Sequence, residues 1–434
     1  MLNTSQKHFD GKNRIQKING KIFVPDFPVI PFIEGDGCGS DIWPAAKSVL
    51  DAAVSKAYSG TRQIEWLEVF AGQKAFARFN QWLPEETLQA FQFYQIGMKG
   101  PLATPVGEGM RSLNVALRKA LDLYVCLRPI RWFAGVPSPM RSPEKVNMTV
   151  FRENTEDIYT GIEFPADSVE NQQFLNYIKT NFPLEFDKIR FPNECGINIK
   201  PISKQGSQRL VRSAIAWALE NQRHSVTIVH KGNIMKYTEG AFRRWGYEVA
   251  ENEFKDQVYT ILQWERIRKT VGEEAANAER SAALAAGKLI INDVITDAMF
   301  EKAITRPAEF DVLATTNLNG DYLSDALAAL VGGLGIAPGA NLNSESGVAI
   351  FEATHGTAPD LAGKDAANPC SLILSGEMML RYMGWNEAAD RIIAAIEAMF
   401  AKKKFTFDLA HLSADATVLK TSQFQDEMMR NIFA

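Results

Sequence analysis

The chain has 434 residues, of which 46% are hydrophobic and 23% are charged, and its formal net charge is −4. A chain of this length and composition can bury a large core, and we expect two domains. The small negative charge argues against a general nucleic-acid-binding surface, which would carry a basic excess. The four cysteines are widely scattered, which excludes a CxxC redox motif and a closely spaced zinc site.

The amino-terminal stretch MLNTSQKHFDGKNRIQKING lacks the apolar core of a signal peptide. The longest uncharged stretch, residues 326–340, is interrupted by glycines and a proline and is too short to cross a bilayer. From these two features we expect a soluble protein of the cytoplasm.

Strand-like and helical patterns alternate along the chain. The apolar run FPVIPFIEGDG ends in a glycine-containing turn and precedes the helical pattern DIWPAAKSVLDAAVSKAY. Later strand-like runs are LDLYVCLRPI, NMTVFRE, SVTIVHKGN, KLIINDVI and FDVLATTN, and later helical stretches include SQRLVRSAIAWALEN and TEGAFRRWGYEVAENEF. This alternation predicts an α/β protein with a largely parallel sheet, whose ligands would bind at the strand ends. The segment VGEEAANAERSAALAAGK predicts a surface helix.

Neither glycine cluster fits the classical Rossmann fingerprint. In EGDGCGS, Ser40 stands where the third glycine would be, and the glycines of VGGLGIAPG have the wrong spacing. A bound dinucleotide would therefore be held in another way. The stretch ATHGTAPDLAGKDAANP, residues 353–369, is typical of a turn that holds a phosphorylated ligand, although it contains the acid Asp360.

Three arginines lie near strand ends rather than along one exposed helical stripe: Arg118, Arg128 and Arg152. A guanidinium group makes a bidentate contact with a carboxylate, so three converging arginines would hold a polycarboxylate. Ser112 and Asn114 add neutral donors nearby. The alternative is a set of surface arginines that pair with local acids.

Tyr159, in EDIYTG, and Lys231, in HKGNIMK, carry a phenol and an ammonium group. Beside a bound substrate, groups of this kind with tuned pKa values could exchange protons with it. The alternative is that each of these two residues has only a structural role.

The motif TNLNGDYLSDALAA places Asp321 and Asp325 four residues apart at the start of an apolar-periodic helix, so that both carboxylates share one face. Hard oxygen ligands of this kind suit Mg²⁺ or Mn²⁺. Asp293, which follows an apolar strand, is a third candidate ligand. The alternative is that acids in a first helical turn complement the helix dipole.

The chain resembles, nearly end to end, the prokaryotic isocitrate dehydrogenases of the β-decarboxylating dehydrogenase family. The motifs that carry the resemblance are GPLATPVGEGMRSLNVALR, FRENTEDIYTGIE, VHKGNIMK, NLNGDYLSDALAA, GGLGIAPGANL and FEATHGTAP. The resemblance implies the α/β fold of isocitrate and isopropylmalate dehydrogenases, which is not a classical Rossmann fold. It also implies a large cofactor-binding domain (1–123 and 332–434), a small α/β domain (124–156 and 203–331) and a clasp (157–202) that interlocks two identical subunits.

The resemblance further implies the oxidative decarboxylation of isocitrate to 2-oxoglutarate and CO₂, a reaction of the tricarboxylic acid cycle, in active sites that the two subunits of the homodimer share. The implied isocitrate-binding residues are Ser112, Asn114, Arg118, Arg128 and Arg152. The implied ligands of Mg²⁺ or Mn²⁺ are Asp321 and Asp325, together with Asp293 of the partner subunit. The catalytic acid–base pair would be Tyr159 and Lys231 of the partner subunit.

Two alternatives concern the substrate and the activity. Sister enzymes of the family act on isopropylmalate, homoisocitrate or tartrate. An enzyme for isopropylmalate would need apolar residues where the polar Ser112 and Asn114 stand, so isocitrate is favoured. Regulatory subunits of related hetero-oligomers bind ligands without turnover. Such a subunit would lack Tyr159, Lys231 or a metal-binding aspartate, and this chain keeps all of them.

The resemblance also implies a dinucleotide site, and its implied residues are Thr104, Asn233, His355, Gly356, Thr357, Ala358, Asp360, Leu361 and Asn368. Family members that use NADP carry a lysine and a tyrosine in place of Asp360 and Leu361, and a tyrosine and an arginine in place of Phe407 and His411. A carboxylate accepts hydrogen bonds from free ribose hydroxyls and repels a 2′-phosphate. We therefore expect an NAD-dependent enzyme that discriminates against NADP by ~10²–10³.

Overall fold

The computed structural model describes residue 11 and residues 13–104 and 112–434. Residues 105–111, which belong to the motif GPLATPVGEGMRSLNVALR and to the implied large domain, lie outside the described residues, as do residues 1–10 and 12. The strands are β1 Gln16–Ile18, β2 Lys21–Phe23, β3 Val29–Ile33, β4 Glu65–Glu68, β5 Ile96–Lys99, β6 Val125–Arg131, β7 Asn147–Glu153, β8 Glu163–Phe164, β9 Ile197–Asn198, β10 Ser225–His230, β11 Val258–Thr260, β12 Leu289–Ile295, β13 Val312–Thr315, β14 Pro338–Leu342, β15 Ala349–Ala353, β16 Lys404–Phe405 and β17 Thr417–Val418. The helices are α1 Gly39–Tyr58, α2 Gly72–Phe79, α3 Glu85–Tyr94, α4 Leu113–Ala120, α5 Val169–Asn181, α6 Pro183–Phe186, α7 Lys204–Glu220, α8 Glu239–Glu253, α9 Ile261–Thr270, α10 Glu273–Ala285, α11 Thr296–Thr305, α12 Asn317–Val331, α13 Cys370–Tyr382, α14 Asn386–Ala401, α15 Phe407–Ala410 and α16 Thr421–Phe433.

One sheet of eleven strands runs through the described part of the molecule, in the order β11-β12-β10-β13-β7-β6-β14-β15-β5-β3-β4. The sheet contains two groups of parallel strands, one at each end, as the alternating pattern predicts. These groups are β11-β12-β10-β13-β7 and β15-β5-β3-β4. The expected parallel character is interrupted at the centre, where β6 pairs antiparallel with both β7 and β14, and β14 pairs antiparallel with β15. The sheet is therefore mixed, because the two parallel groups meet through antiparallel strands.

Helices cover both faces of the sheet. On β13, Val312 and Ala314 belong to one buried cluster, whereas Leu313 belongs to another. On β7, Phe151 and Val150 divide between the same two clusters. Alternate residues of a strand point to opposite faces, so the two clusters lie on opposite sides of the sheet. The first contains side chains of α7 and α8, and the second contains side chains of α11 and α12.

The elements predicted from the sequence are present. Each quoted strand-like run contains a strand of the large sheet, and the quoted helical runs correspond to α1, α7 and α8. The Ala-rich segment forms α10, a surface helix in which only Ala276 and Ala283 are buried. Among the described residues there is no helix with both the length and the apolar character that a membrane span needs.

Candidate active site

A cleft of about 250 Å³ opens where the two parallel groups of strands meet. Its walls come from the ends of β5, β7 and β15, from β6, α4 and α12, and from a 3₁₀ turn at Asp157–Thr160. The described residues that line it are Lys99, Pro101, Leu102, Ser112, Asn114, Val115, Arg118, Arg128, Arg152, Tyr159, Asp321, Glu352, Ala353, Thr354, His355 and Gly356. The structure therefore brings together all five residues that we expected to hold a polycarboxylate, although they come from three separate elements.

The three arginines of the cleft are buried, so they do not form the set of surface ion pairs that was the alternative. Arg118, Arg128 and Arg152 are 9%, 6% and 1% exposed. The Nη2 atom of Arg118 donates to Glu352 at 2.7 Å, and Nη1 of Arg128 donates to Ser324 at 2.6 Å and to Asp325 at 3.0 Å. Each guanidinium thus has a partner on one side and faces the cleft on the other.

Arg152, Tyr159 and Asp321 form one hydrogen-bonded group. The Arg152 guanidinium is paired with Asp321, and it lies 5.0 Å from the centre of the Tyr159 ring. The Tyr159 hydroxyl donates to Oδ2 of Asp321 at 2.7 Å. Gly320 permits this close approach, because a β-carbon at that position would lie 2.5 Å from Cγ of Arg152.

Burial and neighbouring charges shift the pKa values of this group. Burial, followed by the hydrogen bond to Asp321, raises the pKa of Tyr159 to about 12. Burial would also raise the pKa of Asp321, but Arg152 and the Tyr159 hydroxyl outweigh it, and the pKa is lowered. At neutral pH the phenol therefore keeps its proton while the aspartate beside it stays ionised.

Asp321 and Asp325 lie inside α12 rather than at its beginning. The helix begins at Asn317, so the two aspartates occupy its second and third turns, where dipole complementation, the alternative role, is weak. Their side chains are 34% and 48% exposed, which leaves them accessible to an ion. Burial raises the pKa of Asp325, and the negative charge of Asp321 adds to this effect. Two adjacent and partly exposed carboxylates fit a hard divalent cation, but the described residues of one chain contain no cluster of three suitable ligands.

Lys231 and Asp293 lie apart from the described lining of the cleft. The ammonium group of Lys231 is paired with Asp297. Asp293 accepts hydrogen bonds from the Tyr247 hydroxyl at 2.5 Å and from His230 Nε2 at 3.0 Å. In this single chain, the structure therefore separates two of the predicted catalytic and metal-binding residues from the others.

The loop after β15 carries most of the predicted dinucleotide-binding residues. Nδ1 of His355 is 2.9 Å from the Gly356 carbonyl oxygen, which can only accept, so Nδ1 carries the proton. Burial lowers the pKa of His355, and its buried Nε2 has no hydrogen-bond partner within the described chain. In the neutral ring this nitrogen is an acceptor, which fits an amino group of a base such as adenine.

Hydrogen bonds hold the rest of the loop in place. The Thr357 carbonyl accepts from Cys38 N at 2.8 Å, Ala358 has a φ of 38°, and Leu361 N donates to the Ala358 carbonyl at 2.9 Å. Asn368 is buried and donates to Asp408 at 3.0 Å. Thr104 and Asn233, which lie outside this loop, are exposed and do not belong to the described cleft lining.

Two charged residues of the cleft were not among the residues that we expected. Lys99 and Glu352 are 2% and 4% exposed and form an ion pair of 2.7 Å. Burial would raise the pKa of Glu352, but Lys99 and Arg118 hold it well below its usual range. The signal was present in the sequence as a glutamate inside the otherwise apolar strand AIFEA, since charged residues are rarely buried without a partner.

The chain belongs to the isocitrate/isopropylmalate dehydrogenase family, whose characteristic sequence matches residues 29–428. A protein of Staphylococcus epidermidis named isocitrate dehydrogenase (NADP) is 57% identical over 409 residues, which are 94% of this chain and 96% of that protein. A Helicobacter pylori protein of the same name is 52% identical over 424 residues, which are 95% of each chain. The crystal structure of isocitrate dehydrogenase from Methylococcus capsulatus is 34% identical, with a TM-score of 0.72 over 94% of this chain and 99% of that one. The expected fold, with an α/β architecture distinct from the classical Rossmann fold, is confirmed.

The expectation of an NAD-dependent enzyme with NAD as its cofactor is wrong. The relatives that are 52–57% identical over 94–95% of the chain are named isocitrate dehydrogenase (NADP). The expectation relied on repulsion between the Asp360 carboxylate and a 2′-phosphate, but Asp360 is exposed in the short 3₁₀ helix Pro359–Leu361. Water and salt screen an exposed charge, and the exposed Lys364 of the same loop carries the opposite charge. Asp360 therefore does not by itself exclude a phosphate.

The ion pairs of Glu352 should contribute measurably to stability. We expect Glu352→Gln to lower the free energy of unfolding at pH 7 by ~3–5 kcal/mol, because it leaves Lys99 and Arg118 buried with their anion removed. The folded-state pKa of Glu352 lies below its unfolded value, so its ionic contribution is fully present above about pH 4.3 and shrinks as the pH falls below that. Urea unfolding of both proteins between neutral and acidic pH measures the difference.

The matched control is Asp390→Asn, because Asp390 pairs with Arg381 at 2.8 Å at an exposed position outside the segment 157–202, where the side chains are 67% and 42% exposed. This change should alter the free energy of unfolding by no more than ~0.5 kcal/mol. Equal effects of the two substitutions would contradict the assignment of Glu352 as the buried counter-charge.

Proposed function

We propose that the chain catalyses the oxidative decarboxylation of isocitrate to 2-oxoglutarate and CO₂, with NADP as the hydride acceptor. The observation that carries this proposal is the convergence of three buried guanidinium groups on a cleft that also holds a protonated tyrosine. Three cations in so small a space suit a substrate with several carboxylates. The names of the relatives support both the substrate and the cofactor.

The polar residues at the beginning of α4 favour isocitrate over isopropylmalate. Ser112 and Asn114 line the cleft, and Oδ1 of Asn114 is buried without a hydrogen-bond partner in the described residues. An isopropyl group would leave such polar atoms unpaired, at a cost of ~1–3 kcal/mol for each buried group. The carboxylate that isocitrate carries in place of the isopropyl group can instead accept hydrogen bonds from the Ser112 hydroxyl and from the amide nitrogen of Asn114.

In the proposed mechanism, Arg118, Arg128 and Arg152 bind and orient the carboxylates, and Ser112 and Asn114 bind further oxygens. The substrate's secondary alcohol loses a hydride to the dinucleotide and a proton to a base, and we assign the base to Lys231 of the partner subunit, which would act as a neutral amine. The β-keto acid then loses CO₂, and the carbon left with the electron pair receives the proton of Tyr159. The raised pKa keeps that proton on the phenol until the carbanion-like centre forms.

A nicotinamide dinucleotide supplies the hydride acceptor when bound, and His355, Gly356, Thr357, Ala358 and Asn368 would hold its adenosine part. We also propose Thr104, Asn233, Asp360 and Leu361 as residues that border it. A bound Mg²⁺ or Mn²⁺ supplies Lewis-acid polarisation of the substrate oxygens. Asp321 and Asp325 would hold it, with Asp293 of the partner subunit as the third ligand.

The proposal includes a homodimer and the domain division implied by the resemblance. The six strands β11-β12-β10-β13-β7-β6 all come from 124–156 and 203–331, whereas the other five strands of the large sheet come from the chain ends, which supports the boundaries. The segment 157–202 exposes large apolar side chains, namely Ile162, Val169, Tyr177, Phe182, Leu184 and Phe191. Exposed apolar side chains in one segment favour burial against a second subunit.

The function is tested with purified protein, Mg²⁺ or Mn²⁺, and NADP. With isocitrate, we expect the absorbance of NADPH to rise and 2-oxoglutarate to form. With isopropylmalate, we expect no NADPH, because the polar residues Ser112 and Asn114 do not accept its isopropyl group. An NADP-linked reaction with isopropylmalate alone would contradict the substrate. Binding of isocitrate without turnover would favour the regulatory-subunit alternative.

Removal of the phenol proton should affect the chemical step more than substrate binding. We expect Tyr159→Phe to lower kcat by ~10²–10⁴-fold, the usual contribution of a general acid, with a small change in KM for isocitrate. Steady-state kinetics give both constants. Tyr58→Phe is the matched control, because Tyr58 also donates to a carboxylate, that of Glu387, and its pKa is also raised to about 12. A similar loss of kcat in both variants would refute the role of Tyr159.

The sharing of active sites between subunits is tested with hybrid dimers. Tyr159→Phe and Lys231→Met chains, carrying different affinity tags, are co-expressed, and hybrids are isolated through both tags. If each site combines Tyr159 of one subunit with Lys231 of the other, one of the two sites in a hybrid is intact, and about half of the wild-type activity should return. Hybrids as inactive as the parent variants would show that one chain supplies both residues.

A further inference from the structure

Three charged residues outside the cleft form a buried junction: Asp157, Lys200 and Glu239. Nζ of Lys200 lies 2.8 Å from Oδ1 of Asp157 and 2.9 Å from Oε1 of Glu239. The side chains of the two acids are 1% and 0% exposed, and that of Lys200 is 17% exposed. Burial opposes the charge of Lys200, but its bonds to both acids outweigh this effect and raise its pKa. The lysine therefore stays charged between two buried carboxylates.

Glu239 connects the Lys231 loop to the beginning of α12. Its Oε2 accepts from the backbone N–H of Lys231 at 3.0 Å and from Nδ2 of Asn319 at 2.9 Å. Its Oε1 accepts from the Thr316 hydroxyl at 2.9 Å, in addition to Lys200. One buried carboxylate thus fixes the backbone of the proposed proton acceptor against the helix that carries the proposed metal ligands.

Asp157 connects the Tyr159 turn to the same helix end. Its Oδ1 accepts from the backbone N–H of Ile158 at 2.7 Å, and its Oδ2 accepts from that of Leu318 at 3.0 Å. Asp157 has a φ of 69°, a left-handed conformation that few residues other than glycine, asparagine and aspartate adopt easily. The turn that carries Tyr159 is therefore held by a specific residue at its first position.

The three side chains form a unit because each carboxylate bonds to the same ammonium group. Two carboxylates and one ammonium group leave one net negative charge in a buried region, next to the partially positive amino-terminal end of α12. Removal of Lys200 leaves two buried carboxylates without their cation, and Glu239→Gln replaces an acceptor oxygen with an NH₂ group that faces hydrogen-bond donors. Either change forces the remaining groups to move apart or to take up solvent. Small displacements of reacting groups lower catalytic rates strongly.

We infer that Asp157, Lys200 and Glu239 are positioning residues, which lock the Tyr159 turn, the Lys231 loop and the metal-binding helix into one rigid unit. This inference rests on the proposed function, since it concerns the geometry of that site. Because Lys231 would serve the partner's site, the junction of one subunit sets the position of a residue in each of the two sites.

The test compares Glu239→Gln, Lys200→Met and Lys200→Arg in the full-length enzyme. We expect the first two to lower kcat by about 10-fold to 10²-fold, while KM for isocitrate changes by less than about threefold. KM should change little because Arg118 is held by Glu352 of β15 and Arg128 lies on β6, and neither strand contributes a residue to the junction. Lys200→Arg keeps the cation and should retain most of kcat.

The matched control is Lys404→Met, which removes a lysine 2.6 Å from a glutamate, Glu427, whose side chain is 6% exposed, away from the cleft lining. It should lower thermal stability without lowering kcat. If Lys200→Met does not fold, Asp157→Asn replaces it, because asparagine tolerates the left-handed conformation. Wild-type kcat in folded Glu239→Gln and Lys200→Met would overturn the inference, as would an equal loss of kcat in the control.

Amide hydrogen exchange gives a second readout that does not need turnover. The inference predicts that Lys200→Met accelerates exchange together in the peptides that contain Ile158, Lys231 and Leu318. Acceleration in one of these peptides alone would overturn it. A wild-type enzyme that fails to oxidise isocitrate would refute the proposed function, and the exchange result would still decide the junction.

Discussion

The buried positive charge of Arg118, Arg128 and Arg152 is the constraint on which the rest of the site depends. Burying an unpaired ion costs several kcal/mol, so each guanidinium needs an anion close by. The chain supplies Glu352, Asp325 and Asp321 for this purpose. Glu352 is fully buried and is a permanent partner, whereas the two aspartates are partly exposed. Under the proposed function, substrate carboxylates take the place of the aspartates beside Arg128 and Arg152, which frees Asp321 and Asp325 to hold a cation.

The mixed sheet explains why this charge can be assembled at one point. Two parallel groups of strands each direct their ends toward ligands, and the antiparallel strands β6 and β14 join these groups at the centre. Arg128 lies on β6, Arg152 on the neighbouring β7, and Glu352 on β15 beyond β14. The cleft therefore lies at the junction between the two halves of one sheet.

The cofactor shows how a motif argument fails when exposure is ignored. The resemblance implied a lysine and a tyrosine in NADP-using family members where this chain has Asp360 and Leu361, and this difference suggested NAD. The relatives named isocitrate dehydrogenase (NADP) contradict that expectation. An exposed carboxylate on a loop is hydrated whether or not a phosphate is near, so its effect on cofactor choice is small compared with that of a buried one. Lys364, four residues later and also exposed, reduces the effect further.

The sequence by itself determined the α/β class, the positions of the main strands and helices, the family, and the arginine, tyrosine and aspartate residues that the cleft brings together. It could do so because periodicity is local and because long motifs in a fixed order are specific. Only the tertiary structure decided the antiparallel centre of the sheet, the burial of Lys99 with Glu352, and the junction of Asp157, Lys200 and Glu239. These features depend on contacts between residues that are distant in the chain, such as the 234 positions between Arg118 and Glu352. The energy of a charge depends on how far such contacts exclude water, which no local pattern of residues records.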